Sequence, residues 1–383
     1  MHIMVPITYW AVTWQRVPAS AFNVTISRIY CNWPSLSDSQ SCGCVSSTWD
    51  NMATIRDVAK LAGVAPITVS RVVNNSGYVS DETRARVEQA IEELGYIPNM
   101  LGPSLRFKQT NTLALLLTDI TNPFWTTVAR GAEDAANESQ YNLILCNTDE
   151  SEEKQEQYTQ MLLRRQTDGN LLVPASSTPE AVELLQRQNV PTVILDRSLP
   201  DVEVDEVRSD SEAGAYQATR HLIEMKHRHI ALLTGPEYVS TAKDRAEGFC
   251  RALNESHLGC QPEFIQWGKF TRESGYEATK RLLQLDPRPT ALVAGNNFIA
   301  IGAMAALNEA GCRVPEDMAI VAFDDLPAAL TIEPFFTAVV QPAYEMGFQA
   351  TQLLISRLSG EHEEGCAKII LAPELIIRRS TGA

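Results

Sequence analysis

Ile67, Thr68, Ser70 and Arg71 put a guanidinium, two hydroxyls and a branched apolar tip within five residues of one another. On a helix they fall on or near one side. That set can read base edges: arginine on guanine, hydroxyls on any base, an apolar tip on the thymine methyl. A second set lies at the ends of short apolar runs further on: Asp119, Asn122, Asp196-Arg197, Asn296-Asn297 and Asp324-Asp325. Carboxylates, amides and a guanidinium converging on one cleft suit a ligand rich in hydroxyls. The Asp324-Asp325 pair also raises acid–base catalysis, but neighbours on a strand point to opposite faces, so the two cannot easily serve one substrate. GxxxxGK[ST], GxSxG and HExxH are all missing, and no catalytic residue is assigned. His221, His227 and His229 have the count of a metal site, but Lys226 and Arg228 beside them point to a solvated turn before a strand. No metal or cofactor is expected.

The first set needs a helix held against others, and the flanking residues supply one. Thr54 followed by Asp57 forms a capping-box-like start, with Val58, Leu61 and Ala62 at i, i+3, i+4 behind it. Gly63 can take the positive φ that stops this helix, and Pro66 suits the first turn of the next. There Val69, Val72 and Val73 turn inward. After the polar loop Asn75–Tyr78, Ser80 caps a third helix with the stripe Val87, Ile91, Leu94, ended by Gly95. The pattern is a helix-turn-helix closed by a third helix.

The second set needs strand ends. Leu113–Leu117, Leu143–Cys146, Leu171–Val173, Val193–Leu195, Ile230–Leu233, Ala291–Val293 and Ala319–Val321 read as parallel strands buried on both faces. Helical patterns alternate with them over Thr127–Glu138, Glu152–Arg165, Glu212–Met225, Asp244–Asn254, Ser274–Leu285 and Ile299–Ala310. Repeated β-α units build a doubly wound α/β domain, whose ligands sit beyond the carboxyl ends of the strands.

The run from Thr54-Ile-Arg-Asp-Val-Ala through Thr68-Val-Ser-Arg-Val-Val-Asn74 resembles the headpiece of the lac/galactose-repressor family. Asn122-Pro-Phe124, Asp196-Arg197, Ala242–Phe249, Phe323-Asp324 and Val340-Gln-Pro342 resemble the two-lobed periplasmic sugar-binding-protein fold that the family shares. The resemblance implies an α/β protein with a three-helix headpiece at 52–97, a hinge at 98–110 and a two-lobed effector-binding and dimerisation domain at 111–383. It implies three crossings between the lobes, near 210, near 341 and toward the C-terminus. DNA contacts would come from Thr54, Pro66, Ile67, Thr68, Ser70 and Arg71, with Asn74 and Tyr78 just beyond. In the hinge, Asn99 is a candidate N-cap and Leu105 matches the leucine that wedges into a base step. Gly102-Pro103 departs from the good helix formers usual there and makes a hinge helix marginal off DNA. Arg245 matches the ligand-gripping arginine and is expected to open a helix, with Asp324 facing it. Phe124, Trp125 and Phe270 are candidate plates, and Asp196, Arg197 and Asn297 complete the set. Asn297 stands where many relatives carry Asp, which removes one carboxylate. The implied partners are double-stranded operator DNA, a small-molecule effector expected to be a carbohydrate, and a second copy of the chain. A nucleoside or base, or a protein co-regulator, are the alternative effectors; a sugar-binding protein that leaves DNA alone is the alternative function.

With 383 residues, 44% of them hydrophobic and 21% charged, the composition is that of an ordinary globular protein. No apolar run approaches the ~20 residues that span a bilayer, so a cytoplasmic location is expected. The net charge of −15 divides unevenly: residues 52–110 carry +1, residues 1–51 carry none, and the body carries −16. A near-neutral headpiece on an acidic body binds DNA weakly as one copy, which favours a dimer on two half-sites. The absence of a C-terminal heptad tail points the same way, to a dimer rather than a tetramer. Residues 1–51 hold four of the six Trp and three of the eight Cys with almost no charge. They lack the basic start of a secretory signal, and Cys31, Cys42 and Cys44 lack the further ligands of a zinc site. Met52 opens the headpiece directly, so this segment is expected to be a disordered extension or translated upstream sequence. Cys146, Cys250, Cys260, Cys312 and Cys366 are scattered and are expected to be reduced thiols.

Overall fold

The computed structural model describes residues 53–97, 109–326, 334–361 and 365–382. They fall into two compact units, one on either side of residue 98.

The first unit is three helices, α1 (Ile55–Ala62), α2 (Pro66–Val73) and α3 (Asp81–Leu94). The capping box at α1 is complete: the Thr54 backbone N–H donates to the Asp57 carboxylate at 2.9 Å, and Asp57 N–H donates back to Thr54 Oγ1 at 3.4 Å. Gly63 and Gly95 end α1 and α3 in the left-handed region at φ 64° and 57°. Val58, Ala59, Ala62, Val69, Val72, Val87 and Ala90 form the core. Leu61 departs from its expected place and is 48% exposed, with Ala59 taking the inward position. On an eight-residue helix the neighbour of Val58 reaches the same partners as the residue three on, and the smaller side chain fits closer.

The second unit contains two six-stranded sheets. In chain order its elements are β1 (Thr112–Leu117), α4 (Pro123–Glu138), β2 (Asn142–Asn147), α5 (Glu152–Arg165), β3 (Gly169–Leu172), α6 (Glu180–Arg187), β4 (Thr192–Leu195), β5 (Asp205–Ser209), α7 (Ser211–Glu224), β6 (Ile230–Thr234), α8 (Ser240–Glu255), β7 (Ile265–Trp267), α9 (Arg272–Leu282), β8 (Ala291–Ala294), α10 (Asn297–Glu309), β9 (Ala319–Phe323), β10 (Thr337–Val340), α11 (Ala343–Ser359), β11 (Lys368–Leu371) and β12 (Glu374–Ile376). The first sheet runs β11-β5-β4-β3-β1-β2, all parallel; the second runs β12-β10-β9-β8-β6-β7, with only β12 antiparallel. Each sheet has helices on both faces. Leu113, Leu115 and Leu117 turn toward α4 and α11, while Ala114 and Leu116 meet α5 and α6. In the second sheet α7 and α8 cover one face, α9 and α10 the other. Gly131 and Gly347 let α4 and α11 meet backbone to backbone: a Cβ on either would lie 2.0 Å from the partner helix's carbonyl oxygen.

The chain passes between the lobes three times, after β5, after β10 and between β11 and β12, as expected. Several strands escape the apolar signature. β5 reads Asp-Glu-Val-Arg-Ser yet is largely buried, because Asp205 accepts from Arg357 Nε at 2.7 Å and Nη2 at 2.6 Å. β2 lies at an edge, so Leu145 is partly exposed where burial on both faces is expected. β7, β10, β11 and β12, and the helices α6 and α11, also lack a sequence counterpart.

Two further expectations are corrected. Cys250, near the end of α8, and Cys260, beyond the following turn, stand 5.0 Å apart at Cα and are joined in a disulfide, where reduced thiols are expected. His221 is buried on α7 rather than in a turn, its Nε2 3.1 Å from Thr381 Oγ1. The extension 1–51, Met52, Asn99, Gly102-Pro103 and Leu105 lie outside the described residues. Among the described residues, no helix is long and apolar enough to cross a membrane.

Candidate functional site

The headpiece presents α2. Ala65 offers no side-chain cap, Pro66 takes the first helical position, and Ile67 stands 61% exposed beside it. Thr68 and Ser70 are half-buried, and Arg71 is exposed on the next turn. Arg71 makes no ion pair among the described residues, and its Cδ and Nε pass 3.7 Å from the Cβ position of Gly77. Asn74 donates to the Ser70 carbonyl at 2.9 Å and to Ser70 Oγ at 3.2 Å, so these two side chains hold each other. Tyr78 projects from the loop at 91% exposure. Thr54 is committed to the α1 cap, its hydroxyl donating to Asp57 at 2.7 Å.

The body holds a cavity of about 590 Å³ between its lobes. Phe124, Asp196, Arg197, Arg245, Phe270 and Asp324 all line it, from strands more than 200 residues apart in sequence. Trp125 lines it too, edge-on to Phe124 at 4.8 Å. Arg245 lies in the second turn of α8 rather than opening it. Its Nη1 donates to the Gly295 carbonyl, its Cζ stands 4.3 Å from the Phe323 ring centroid and 5.9 Å from that of Phe270, and its Nε has no partner. Burial lowers its pKa, against the pull of Asp324 and Asp196. Asp324 accepts from Gln341 Nε2 at 2.6 Å. Burial pushes its pKa up from 3.8 to about 6, with Arg245 and Gln341 acting the other way. Asp196 is held at φ 64° with its Oδ1 unpartnered, and burial raises its pKa as well. No ion pair joins Arg245 to Asp324. Asp325 turns away from the cavity and grips Arg378 with both oxygens, at 2.7 and 2.6 Å.

Arg197 differs from Arg245. Its fork is occupied by Glu150 at 2.7 and 2.6 Å, and Nη1 also donates to the Pro174 carbonyl at 2.6 Å. It braces the wall. Asn297 is fully buried and does not line the cavity; its Nδ2 donates at 3.0 Å to Asn122 Oδ1 in the other lobe. At that strand end Asn296 reaches the wall instead, while its Oδ1 caps α10 through Ile299 N–H at 2.8 Å. Thr118, Glu150, Tyr238, Thr241 and Lys269 also line the cavity without having been singled out in the sequence. Thr241 precedes Arg245 by one helical turn, a spacing that could have found it.

The comparisons agree with this geometry. Residues 54–99 match the family described as bacterial regulatory proteins, lacI family. Residues 110–377 match periplasmic binding proteins and sugar binding domain of LacI family. Over 330 residues the chain is 36% identical to the HTH-type transcriptional repressor PurR of Pasteurella multocida, covering 86% of this chain and 98% of that one. Among solved structures it is similar to the lac repressor dimer bound to operator and the anti-inducer ONPF, with TM-score 0.76, 28% identity, and 87% of this chain and 100% of that one covered. It is also similar to the CelR–cellobiose complex, with TM-score 0.66, 33% identity, and 86% and 99% covered. With a capped helix-turn-helix at one end and two doubly wound lobes around a polar cavity behind it, the chain belongs to the lacI family of bacterial regulatory proteins and is a DNA-binding transcriptional repressor.

Proposed function

We propose that this repressor is a cytoplasmic homodimer whose hold on operator DNA is controlled by a carbohydrate bound between the lobes. One observation carries the effector reading: polar atoms buried around the cavity have no partner, namely Asp196 Oδ1, Arg245 Nε, Gln341 Oε1 and Thr118 Oγ1. Leaving such groups unpaired costs ~1–3 kcal/mol each, so a ligand that satisfies them is favoured. A sugar hydroxyl both donates and accepts, and so can serve Asp196 and Arg245 together. Phe270 and Trp125 offer flat apolar faces to a ring. The cellobiose in the CelR complex supports the same chemistry in a similar protein. For DNA, the exposure of Ile67 and Arg71 supports α2 as the element that enters the major groove. The lac repressor dimer on operator supports two copies on two half-sites.

Fluorescence anisotropy with a labelled operator tests both halves. A sugar that binds the body shifts operator affinity by tenfold or more. Arg245→Lys loses this response through the lost planar fork, while its free operator affinity and melting temperature stay unchanged. A response that nucleosides elicit and sugars do not would move the effector to the alternative class.

A further inference from the structure

The cavity has two zones. Its inner end is walled by side chains that are themselves nearly buried, among them Arg245, Asp196, Asp324 and Phe124. Its mouth is rimmed by exposed groups: Tyr238, Asp149, Thr121 and Lys269. Tyr238 is the unusual one. It lines the cavity yet is 58% exposed, on the loop after the Gly235-Pro236 strand end, and its ring is not packed into either lobe core. An aromatic face left bare at the lip of a binding cavity is suited to stack on something that fills the outer zone.

Volume gives the size of that occupant. At ~30 Å³ per water, 590 Å³ is the space of about twenty molecules, and a single pyranose has about a dozen heavy atoms. One ring leaves the outer zone empty. Charge narrows the choice further. Five carboxylates line the cavity (Asp119, Asp149, Glu150, Asp196 and Asp324) against three cations, Arg197, Arg245 and Lys269. Arg197 is already matched by Glu150, and Asp149 by Lys154. What remains is net negative and repels a phosphate.

We propose that the effector is a neutral two-ring glycoside, an O-linked disaccharide, with one ring held by Arg245, Asp196 and Asp324 and the second stacked on Tyr238 at the mouth. The proposal rests on the carbohydrate reading and adds size, charge and a specificity residue to it. Asp149 and Thr121 at the rim can accept from the hydroxyls of the outer ring, which a nucleobase would not supply in that number.

Calorimetry and thermal shift on the full chain separate the two claims, with glucose, ribose, cellobiose, maltose, lactose, glucose 6-phosphate and adenosine as probes. A disaccharide binds about tenfold more tightly than its component monosaccharide, and Tyr238→Ala removes that margin while monosaccharide affinity stays within about twofold. Tyr238→Phe keeps the margin, since the ring face and not the hydroxyl is used. Glucose 6-phosphate binds more weakly than glucose. Monosaccharide binding as tight as any disaccharide, equal losses for both sizes in Tyr238→Ala, or preference for the phosphorylated sugar overturns this inference and leaves the carbohydrate reading standing. No shift with any saccharide, together with one for adenosine, overturns the carbohydrate reading itself and this inference with it.

Discussion

At the scale of single residues, chemistry here depends on which polar atoms are already spoken for. Arg197 and Arg245 look alike in sequence and sit in one cavity, but the first has its fork filled by Glu150 and the second keeps Nε without a partner. Asp324 carries the clearest electrostatic signature. Its folded pKa of about 6 lies above the ordinary 3.8, so the folded chain holds this proton where the unfolded chain has released it. Stability is therefore lost as pH rises from about 4 to about 6 and stays lost above that window. Asp324→Asn keeps the bond from Gln341 and removes the buried charge. It should raise the melting temperature of the free protein at pH 7.5 by a few degrees, from ~1–3 kcal/mol, and leave it unchanged near pH 3.5. Scanning calorimetry at the two pH values checks this; an equal shift at both would remove ionisation as the cause. In the headpiece, Arg71 reaches solvent without an ion pair. Arg71→Ala is expected to cost ~1–3 kcal/mol in operator binding and to relax preference at one base position per half-site. An unchanged preference in a randomised-operator selection would take Arg71 out of the reading role.

At the scale of elements, α1 and α2 are each eight residues, too short to persist without caps and tertiary packing. The capping box at Thr54 therefore matters more than it would on a long helix. Thr54→Ala should destabilise the headpiece by ~1 kcal/mol, seen as a lower melting temperature of the headpiece transition with the body transition unmoved. A loss of operator affinity in Thr54→Ala with no change in melting would instead assign Thr54 to DNA. In the body the elements that build the cavity are joined across the lobes by few bonds: Asn297 to Asn122, and the Ser198 N–H to Ser240 Oγ at 2.9 Å. α8 carries both Ser240 and Arg245, so the helix that touches the first lobe also bears the cavity's guanidinium.

At the scale of the whole molecule, the two compact units predict two thermal transitions. An effector at 100 times its dissociation constant should stabilise the body by about 2.7 kcal/mol and leave the headpiece transition in place. A single merged transition that moves as one would show the units to be coupled in the free protein. Residues 1–51 offer no periodic apolar face, and the family match begins at residue 54. Deleting them should leave folding and operator affinity unchanged. A drop of several degrees on deletion would show that they pack.

The sequence by itself determined whatever depends on neighbours within a few residues: the Thr54 capping box, the glycine stops at 63 and 95, the period of the helices and the apolar runs of the central strands. It also carried the family signature, and with it the three lobe crossings and six of the residues that line the cavity. Only the tertiary structure decided what depends on partners far along the chain. β5 could not be read as a strand because the partner that makes Asp205 tolerable in a core, Arg357, lies 152 residues away. Leu145 could not be read as partly exposed, because being at a sheet edge is a property of the whole strand order. Asn296 and Asn297 are indistinguishable by type, yet one residue of offset at a helix start sends the first to the cavity wall and the second to Asn122 across the lobes. Tyr238 gave no signal at all, since an aromatic residue in a loop after Gly-Pro is unremarkable until the opposite lobe brings Asp149 and Thr121 to the same mouth. A side chain's type is local, but what it faces is set by where the chain returns.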